Sequence, residues 1–450
     1  MRGGEWERGR VGDTLSPPHP LSPSPRLEIN TMRLIYVLLS PTFGMHQYTA
    51  DLANRAAEGA FQRPALSFAK GSNVGALAPA TPFQPGFERP DVSLVTTSTL
   101  PRDRYSPAVR VHTPIASRGT GFSREGFDVP AYRRALATID NVSTFERSKV
   151  SLPIVHFTGV HLWNPLLARA LLRQGIPVVH SLHNMDPHSG VRFNGLIRAW
   201  NRLIIGSGVH LLVHGRRYRD RLLAEGVPPE RVTCVPLLHG FWGYESPIPD
   251  LPDPGPVRDG AQFPVPTPPT VLFFGRIEPY KGVDVLLEAW RQLDAGRAHL
   301  VIAGPLAAGM TMPALPPGVE LRARRIDDAE AIALFRSASL LVLPYRDATQ
   351  SALVAAGYAF GVPAIVTDAG ALPEYVAPGD TGWVIPRGDA SALAAALQHA
   401  LAGPSRLRQM GIACRMWYDA QRQAEQTALA DMYRALSASS SDEHSTSHPF

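Results

Sequence analysis

The sequence predicts an α/β protein of two doubly wound domains, and three observations lead there. Short apolar runs alternate with segments of helical periodicity along most of the chain, which is the pattern of strands feeding helices in a parallel sheet. Residues 246–270 separate two such series, and their prolines allow neither a helix nor a central strand. The chain of 450 residues, 44% hydrophobic, is also larger than one core ordinarily holds.

Residues 1–31 carry Pro17, Pro18, Pro20, Pro23 and Pro25 among Ser and Arg without an apolar period, so they read as a disordered extension, with Met32 as an alternative start. A signal peptide opening at Met32 would have an apolar core of about six residues, short of the ~7–15 required. The first domain spans 32–245. It starts with a strand to Leu39, a turn at 40–44 and a helix at 48–57. Strands follow at 92–97 and 109–112, then a helix at 129–139, a strand at 154–157, a helix at 165–173, and strands at 178–180, 209–214 and 232–236. Beyond the 246–270 linker, the second domain spans 271–415. Its strands are expected at 270–274, 299–303, 319–322, 340–344 and 363–367, and its helices at 283–293, 329–336, 351–360 and 390–401. A last helical pattern covers 405–436, of which 416–436 is expected to pack back on the first domain, and 437–450 reads as a disordered polar tail.

The net charge of +5 is spread over arginines, with Lys70, Lys149 and Lys281 the only lysines. No basic run argues for nucleic acid, whereas an anionic small molecule or an anionic membrane surface would suit the excess. The arginine-rich helix at 215–223 is the candidate for peripheral membrane contact, against the plainer reading of a solvated face. Cys234 and Cys414 form no CxxC, so neither a disulfide framework nor a zinc knuckle is indicated. No apolar run reaches the ~20 residues a spanning helix needs. The expected setting is the cytoplasm, with a peripheral position at the inner face of the cell membrane as its extension.

Ligands of such folds sit outside the carboxyl ends of the strands, and two turns of the second domain stand out there. In Phe273-Phe-Gly-Arg-Ile-Glu-Pro-Tyr-Lys-Gly282, Gly275 and Gly282 permit sharp turning and close approach, while Arg276 and Lys281 set two cations beside the next helix, as a diphosphate clamp would. In Leu343-Pro-Tyr-Arg-Asp-Ala-Thr-Gln-Ser351, Thr349 and Ser351 are N-cap types ahead of a helix whose first N–H groups suit an anion. Taken singly, each of these residues is better explained by a surface ion pair, a solvated helix start or an ordinary cap; two such turns at equivalent strand ends of one domain shift the balance toward a ligand. In the first domain, Gly44 is expected to admit close approach of donor or acceptor, against the plainer reading of an ordinary β-α turn glycine. His183 follows a strand toward the cleft, where an imidazole could meet a sugar or phosphate, a histidine satisfied within a loop being an equal reading. His180 and His183 lack a third metal ligand, and Glu374 reads as a helix cap.

The strings FFGRIEPYKGVDVLLEAW and LVLPYRDATQSALVAAGYAFGVPAIVTDAGALPEYVAPGDTGWVIPRGD resemble the donor-binding half of the retaining family 4 glycosyltransferases, which have the two-domain GT-B fold. The resemblance covers residues 270–400 strongly and 32–240 more loosely. It implies transfer of a sugar from a UDP-, GDP- or ADP-linked donor to a glycan, lipid-linked or other acceptor, in polysaccharide or glycoconjugate assembly, with no metal or other cofactor. It places Arg276 and Lys281 on the donor diphosphate, with His183 beside them as the third catalytic position. Gly44, Gly275, Thr349, Gln350, Ser351 and the loop at Ile326 are the expected donor contacts. The family often carries two glutamates eight positions apart, and Ala348 and Ala356 stand in their places here. Thr349, Gln350 and Ser351 are the expected substitutes. The alternative reading is a catalytically silent GT-B protein that binds a nucleotide or a partner in a regulatory or assembly role.

Overall fold

The computed structural model describes residues 32–59, 89–144, 152–186, 194–240, 265–294 and 296–445. The extension at 1–31 and most of the 246–270 linker lie outside them.

The first sheet is wholly parallel and holds seven strands: β1 (Arg33–Leu38), β2 (Asp91–Thr97), β3 (Arg110–Ile115), β4 (Ile154–Phe157), β5 (Val178–Ser181), β6 (His210–Val213) and β7 (Val232–Cys234), in the order β3-β2-β1-β4-β5-β6-β7. The second is parallel with six: β8 (Thr270–Phe274), β9 (His299–Ala303), β10 (Val319–Arg322), β11 (Leu340–Leu343), β12 (Ala364–Thr367) and β13 (Gly382–Ile385), in the order β10-β9-β8-β11-β12-β13. The central strands are buried on both faces, which is why they read as unbroken apolar runs. Strand order reverses between β1 and β4 and between β8 and β11. Each reversal opens a crevice at the strands' carboxyl ends.

The helices are α1 (Phe43–Ala57), α2 (Val129–Thr144), α3 (Asn164–Leu172), α4 (Asn194–Ile205), α5 (Arg216–Ala224), α6 (Val283–Trp290), α7 (Asp328–Ser337), α8 (Ala352–Ala359), α9 (Ala390–Leu401) and α10 (Pro404–Ser445). From β3 to β7 the chain steps in one direction across the sheet, so right-handed crossovers set α2, α3, α4 and α5 on one face. Ile139, Leu167, Trp200 and Leu222 pack there in one cluster. The step from β1 to β2 runs the other way and places α1 on the opposite face, where Leu52 and Ala53 share a core with α10 and the second domain.

Several elements differ from the sequence expectation. The turn at 40–44 is shorter, because α1 already begins at Phe43 and takes Gly44 into its first turn. Helix α4 and strand β13 have no counterpart in that reading, and α10 runs on to Ser445, past Leu436 into the stretch read as a disordered tail. α10 straps the two halves together. Near its start, the Cys414 thiol donates to the Thr381 carbonyl oxygen (3.4 Å). Farther on, Arg422 grips Asp51 through two bonds of 2.9 and 2.6 Å, and Glu425, buried, accepts from Arg55 (2.7 Å) and Arg422 (2.9 Å). Both carboxylates have guanidinium partners, which is what offsets their desolvation.

Candidate active site

The two turns singled out by sequence leave neighbouring strands, β8 and β11, at the point of reversal. Gly275 leaves β8 with φ of 109°, and its N–H donates to the Ala303 carbonyl oxygen (2.9 Å). Gly282 has φ of 66°, and a Cβ there would lie 2.0 Å from the Pro344 carbonyl oxygen. Only glycine satisfies both conditions. Arg346 locks the turns together: its N–H donates to the Tyr280 carbonyl oxygen (2.7 Å), and its guanidinium binds both Asp284 oxygens at 2.6 Å.

Lys281 lies in the gap that results. Its Nζ is 5.4 Å from the centre of the Tyr345 ring and 3.2 Å from where a Gly275 Cβ would be, a point that Leu353 Cδ1 approaches at 3.4 Å. Leu353 belongs to the first turn of α8, where the Ser351 hydroxyl caps by accepting from the Leu353 N–H (3.3 Å). A cation, a glycine without a side chain and a helix N-terminus therefore converge, and such a convergence suits a diphosphate. Arg276 is exposed and, among the described residues, makes a single long contact of 3.4 Å, with Glu278, which leaves its side chain room to turn toward a ligand. Ile326, partly buried, follows β10 immediately ahead of Asp327, whose carboxylate caps α7 by accepting from the Glu330 N–H (2.8 Å). A Cβ at Gly44 would meet no other element within 4 Å among the described residues, so nothing there requires a glycine for close approach.

His183 is buried, and its Nε2 must donate to the Thr158 carbonyl oxygen (3.0 Å) because that atom only accepts. Nδ1 is then a lone-pair acceptor, buried and without a partner among the described residues. The ring stacks on His214 (4.9 Å between centres) and meets Tyr48 edge-on (4.8 Å). Burial, reinforced by the His214 neighbour, holds its pKa well below the usual 6.5, so the ring is neutral at physiological pH.

Thr349 and Gln350 point their side chains at the other domain. Thr349 Oγ1 donates to the Asp186 carbonyl oxygen (2.8 Å), Gln350 Nε2 donates to that of His183 (3.2 Å), and Tyr218 OH donates to that of Thr349 (2.9 Å). Ala348 and Ala356 are buried, and no acidic residue occupies the first turn of α8.

Contacts that sequence reasoning missed close the two halves on each other. Arg104 binds both oxygens of Asp328 at 2.8 Å. Glu374, on the turn Leu372–Tyr375, does cap a helix, but the helix is α5 of the other domain: its carboxylate accepts from the N–H groups of Arg216 (2.6 Å) and Arg217 (3.1 Å). No local signal names such a partner. The arginine-rich α5 is thereby engaged, with Arg217 donating to the Gly370 carbonyl oxygen (2.6 Å) and Arg219 and Arg221 paired to carboxylates. It is not the free basic face that its sequence suggests.

Residues 43–237 match the family model for the glycosyl transferase 4-like domain, and residues 268–403 match that for glycosyl transferases group 1. A D-inositol 3-phosphate glycosyltransferase of Corynebacterium glutamicum is 26% identical over 365 residues, 72% of this chain and 81% of that protein. The same-named protein of Streptomyces avermitilis is 31% identical over 36% of this chain and 39% of its own length. In architecture the chain is similar to a sucrose-phosphate synthase from Thermosynechococcus elongatus (TM-score 0.62, 19% identity, 90% of this chain and 100% of that one). It is also similar to Anabaena HepE solved with UDP-glucose (TM-score 0.58, 11% identity, 91% and 100%). With both halves matched in order, and two parallel sheets opening their crevices on one another, the chain belongs to the group 1 glycosyltransferases of family 4, with the GT-B fold.

Proposed function

We propose that the protein is a retaining, metal-independent glycosyltransferase that moves a sugar from a nucleotide-sugar donor to a glycan, lipid-linked or other acceptor. The observation that carries this reading is the convergence of Lys281, Gly275 and the α8 N-terminus at the β8–β11 crevice. When the glycosidic C–O bond breaks, its electron pair goes to the terminal phosphate oxygen of the nucleoside diphosphate. Lys281 and the N-terminus of α8 oppose that growing charge from fixed positions, and Arg276 turns in to join them. These groups do for the diphosphate what a divalent ion does elsewhere, and the sequence contains no Asp-x-Asp to hold one.

The acceptor oxygen attacks the sugar carbon on the face the phosphate leaves, and its proton passes to the departing phosphate oxygen, so no paired carboxylate is needed. His183, neutral, offers Nδ1 to a donor hydroxyl rather than a charge to phosphate. Thr349 and Gln350 hold the segment 183–186 against the donor turn, which gives them a positioning role in place of the direct donor contact expected from sequence. UDP- and ADP-linked sugars are the first donors to test, because Anabaena HepE was solved with UDP-glucose and starch synthase IV of Arabidopsis thaliana (TM-score 0.57, 13% identity) with ADP.

Turnover of such a donor, undiminished by EDTA and abolished in the double variant Arg276→Ala/Lys281→Ala, is the expected result. The second reading, a silent nucleotide-binding protein, is favoured by Ala348 and Ala356. Saturable UDP or ADP binding with no turnover of any donor would select it.

A further inference from the structure

Five of the seven exposed large hydrophobic side chains among the described residues lie on one layer of the first domain: Phe127, Val129, Leu166, Leu196 and Leu203. Strand order sets α2, α3 and α4 side by side on that layer. Direct contacts bind them. Trp163 Nε1 donates to the Gly126 carbonyl oxygen (2.9 Å), Tyr132 meets Trp163 edge-on (5.7 Å), and α3 packs on α4. On α4 the inner face buries Trp200 and Ile204, while Leu196, Ala199 and Leu203, spaced by three and four, face outward beside Arg198 and Arg202.

The charge on this layer is mainly positive, seven arginines against Glu125, Asp128 and Asp140. Arg124, Arg133, Arg134, Arg169, Arg173, Arg198 and Arg202 are all exposed, and none has an ion pair among the described residues. α3 and α4 contain no acidic residue. The nearby carboxylates are engaged locally: Glu125 accepts from the Ser117 hydroxyl and the Arg118 N–H, Asp128 from the Ala131 N–H, and Asp140 from Gln174. The contrast with α5, whose arginines are all taken, is what distinguishes the layer. Isolated apolar residues on a surface need no explanation, but an apolar strip framed by seven unpaired guanidiniums has the make-up of an interfacial membrane face. A second copy would set like charges against each other in a twofold contact.

We propose that the outer layer formed by α2, α3 and α4 rests on an anionic bilayer, with Phe127, Val129, Leu166, Leu196 and Leu203 entering the headgroup region and the seven arginines meeting lipid phosphates. Asn201 of α4 donates to the Asn184 and Met185 carbonyl oxygens (2.8 and 3.3 Å), so the layer is joined to the 183–186 segment that meets the donor turn, and docking would bring that side of the cleft toward a lipid-linked acceptor.

The test is co-sedimentation of the full chain with phosphatidylcholine vesicles, with and without phosphatidylglycerol. Binding is expected only to the anionic vesicles and should weaken as salt rises. Arg198→Gln with Arg202→Gln should lower partitioning about thirty-fold, since each arginine near such a surface contributes roughly a factor of five. Leu196→Ser with Leu203→Ser should remove the part of binding that resists salt, and Arg219→Gln on α5 should leave binding unchanged. Donor turnover without vesicles, unaltered in these surface variants, keeps this result separate from the reading of the active site. Failure of the unaltered chain to bind anionic vesicles, equal binding by all variants, or a dimer that Leu203→Ser dissociates would each overturn the proposal.

Discussion

The N-cap position of helix α5 is Gly215, which has no side chain to cap it, and the cap comes instead from Glu374 of the other domain. Replacing Glu374 by Ala removes the acceptor of two backbone N–H groups and an anion facing a helix N-terminus, together with an ion pair to Arg216 at 3.6 Å. Loss of an N-cap costs about 0.5–2 kcal/mol, and loss of the charge–dipole attraction about 0.3–1 kcal/mol. The sum, about 2 kcal/mol, corresponds to roughly thirty-fold in a local opening equilibrium. Amide hydrogen exchange of the first turn of α5, read on a peptide covering 216–219, should accelerate by about that factor. Exchange at the far end of α4 should not change. Glu374→Gln, which keeps an oxygen acceptor but not the charge, should give an intermediate rate. Exchange in Glu374→Ala within about two-fold of the unaltered protein would refute the interdomain cap, since the local stability it supplies sets the opening constant.

Other perturbations act on the same framework. Gly282→Ala should abolish donor binding and lower stability, because the new Cβ would fall 2.0 Å from the Pro344 carbonyl oxygen at φ of 66°; retained nucleotide binding in a titration would contradict this. Arg422→Ala leaves Asp51 and the buried Glu425 short of their partner and should destabilise by about 3–5 kcal/mol in denaturant unfolding, against little change if the network were idle. Burial lowers the pKa of His46, His161 and His239 to about 4 and of His180 and His214 to about 3. The unfolded chain takes up those protons below the ordinary 6.5 while the folded chain does not. Stability is therefore full above pH 6.5 and falls as pH drops toward 4, and a melting temperature flat between pH 7 and 5 would contradict this.

The sheet cores and the two strand-end turns were legible because each rests on local signals: unbroken apolar runs, and glycines where φ must be positive. Helix α4 carried a readable pattern in Ile197, Trp200 and Ile204, and Asp186-Pro and Ser189-Gly ahead of it and Asn194-Gly at its start are turn signals, so it was within reach of a local reading. Strand β13 is only four residues long, and Gly44 suggested a turn where the chain is already helical. The orientation of Thr349 and Gln350 could not be read at all. Their partners are backbone carbonyl oxygens 163 and 167 positions away, which leave no trace in residue type. The same holds for Glu374, where the cap was legible and the helix it serves was not.

Lys281 is the fixed cation proposed to meet the leaving group, and the most direct measurement is the rate of donor turnover by Lys281→Ala beside the unaltered chain, with UDP-glucose and ADP-glucose as donors. Lys281 lies over Tyr345 and has no ion pair among the described residues, so its removal should leave the melting temperature nearly unchanged. Turnover should fall by about 10²–10³, the usual cost of losing one fixed group that meets developing charge. Turnover equal to that of the unaltered protein would contradict the account.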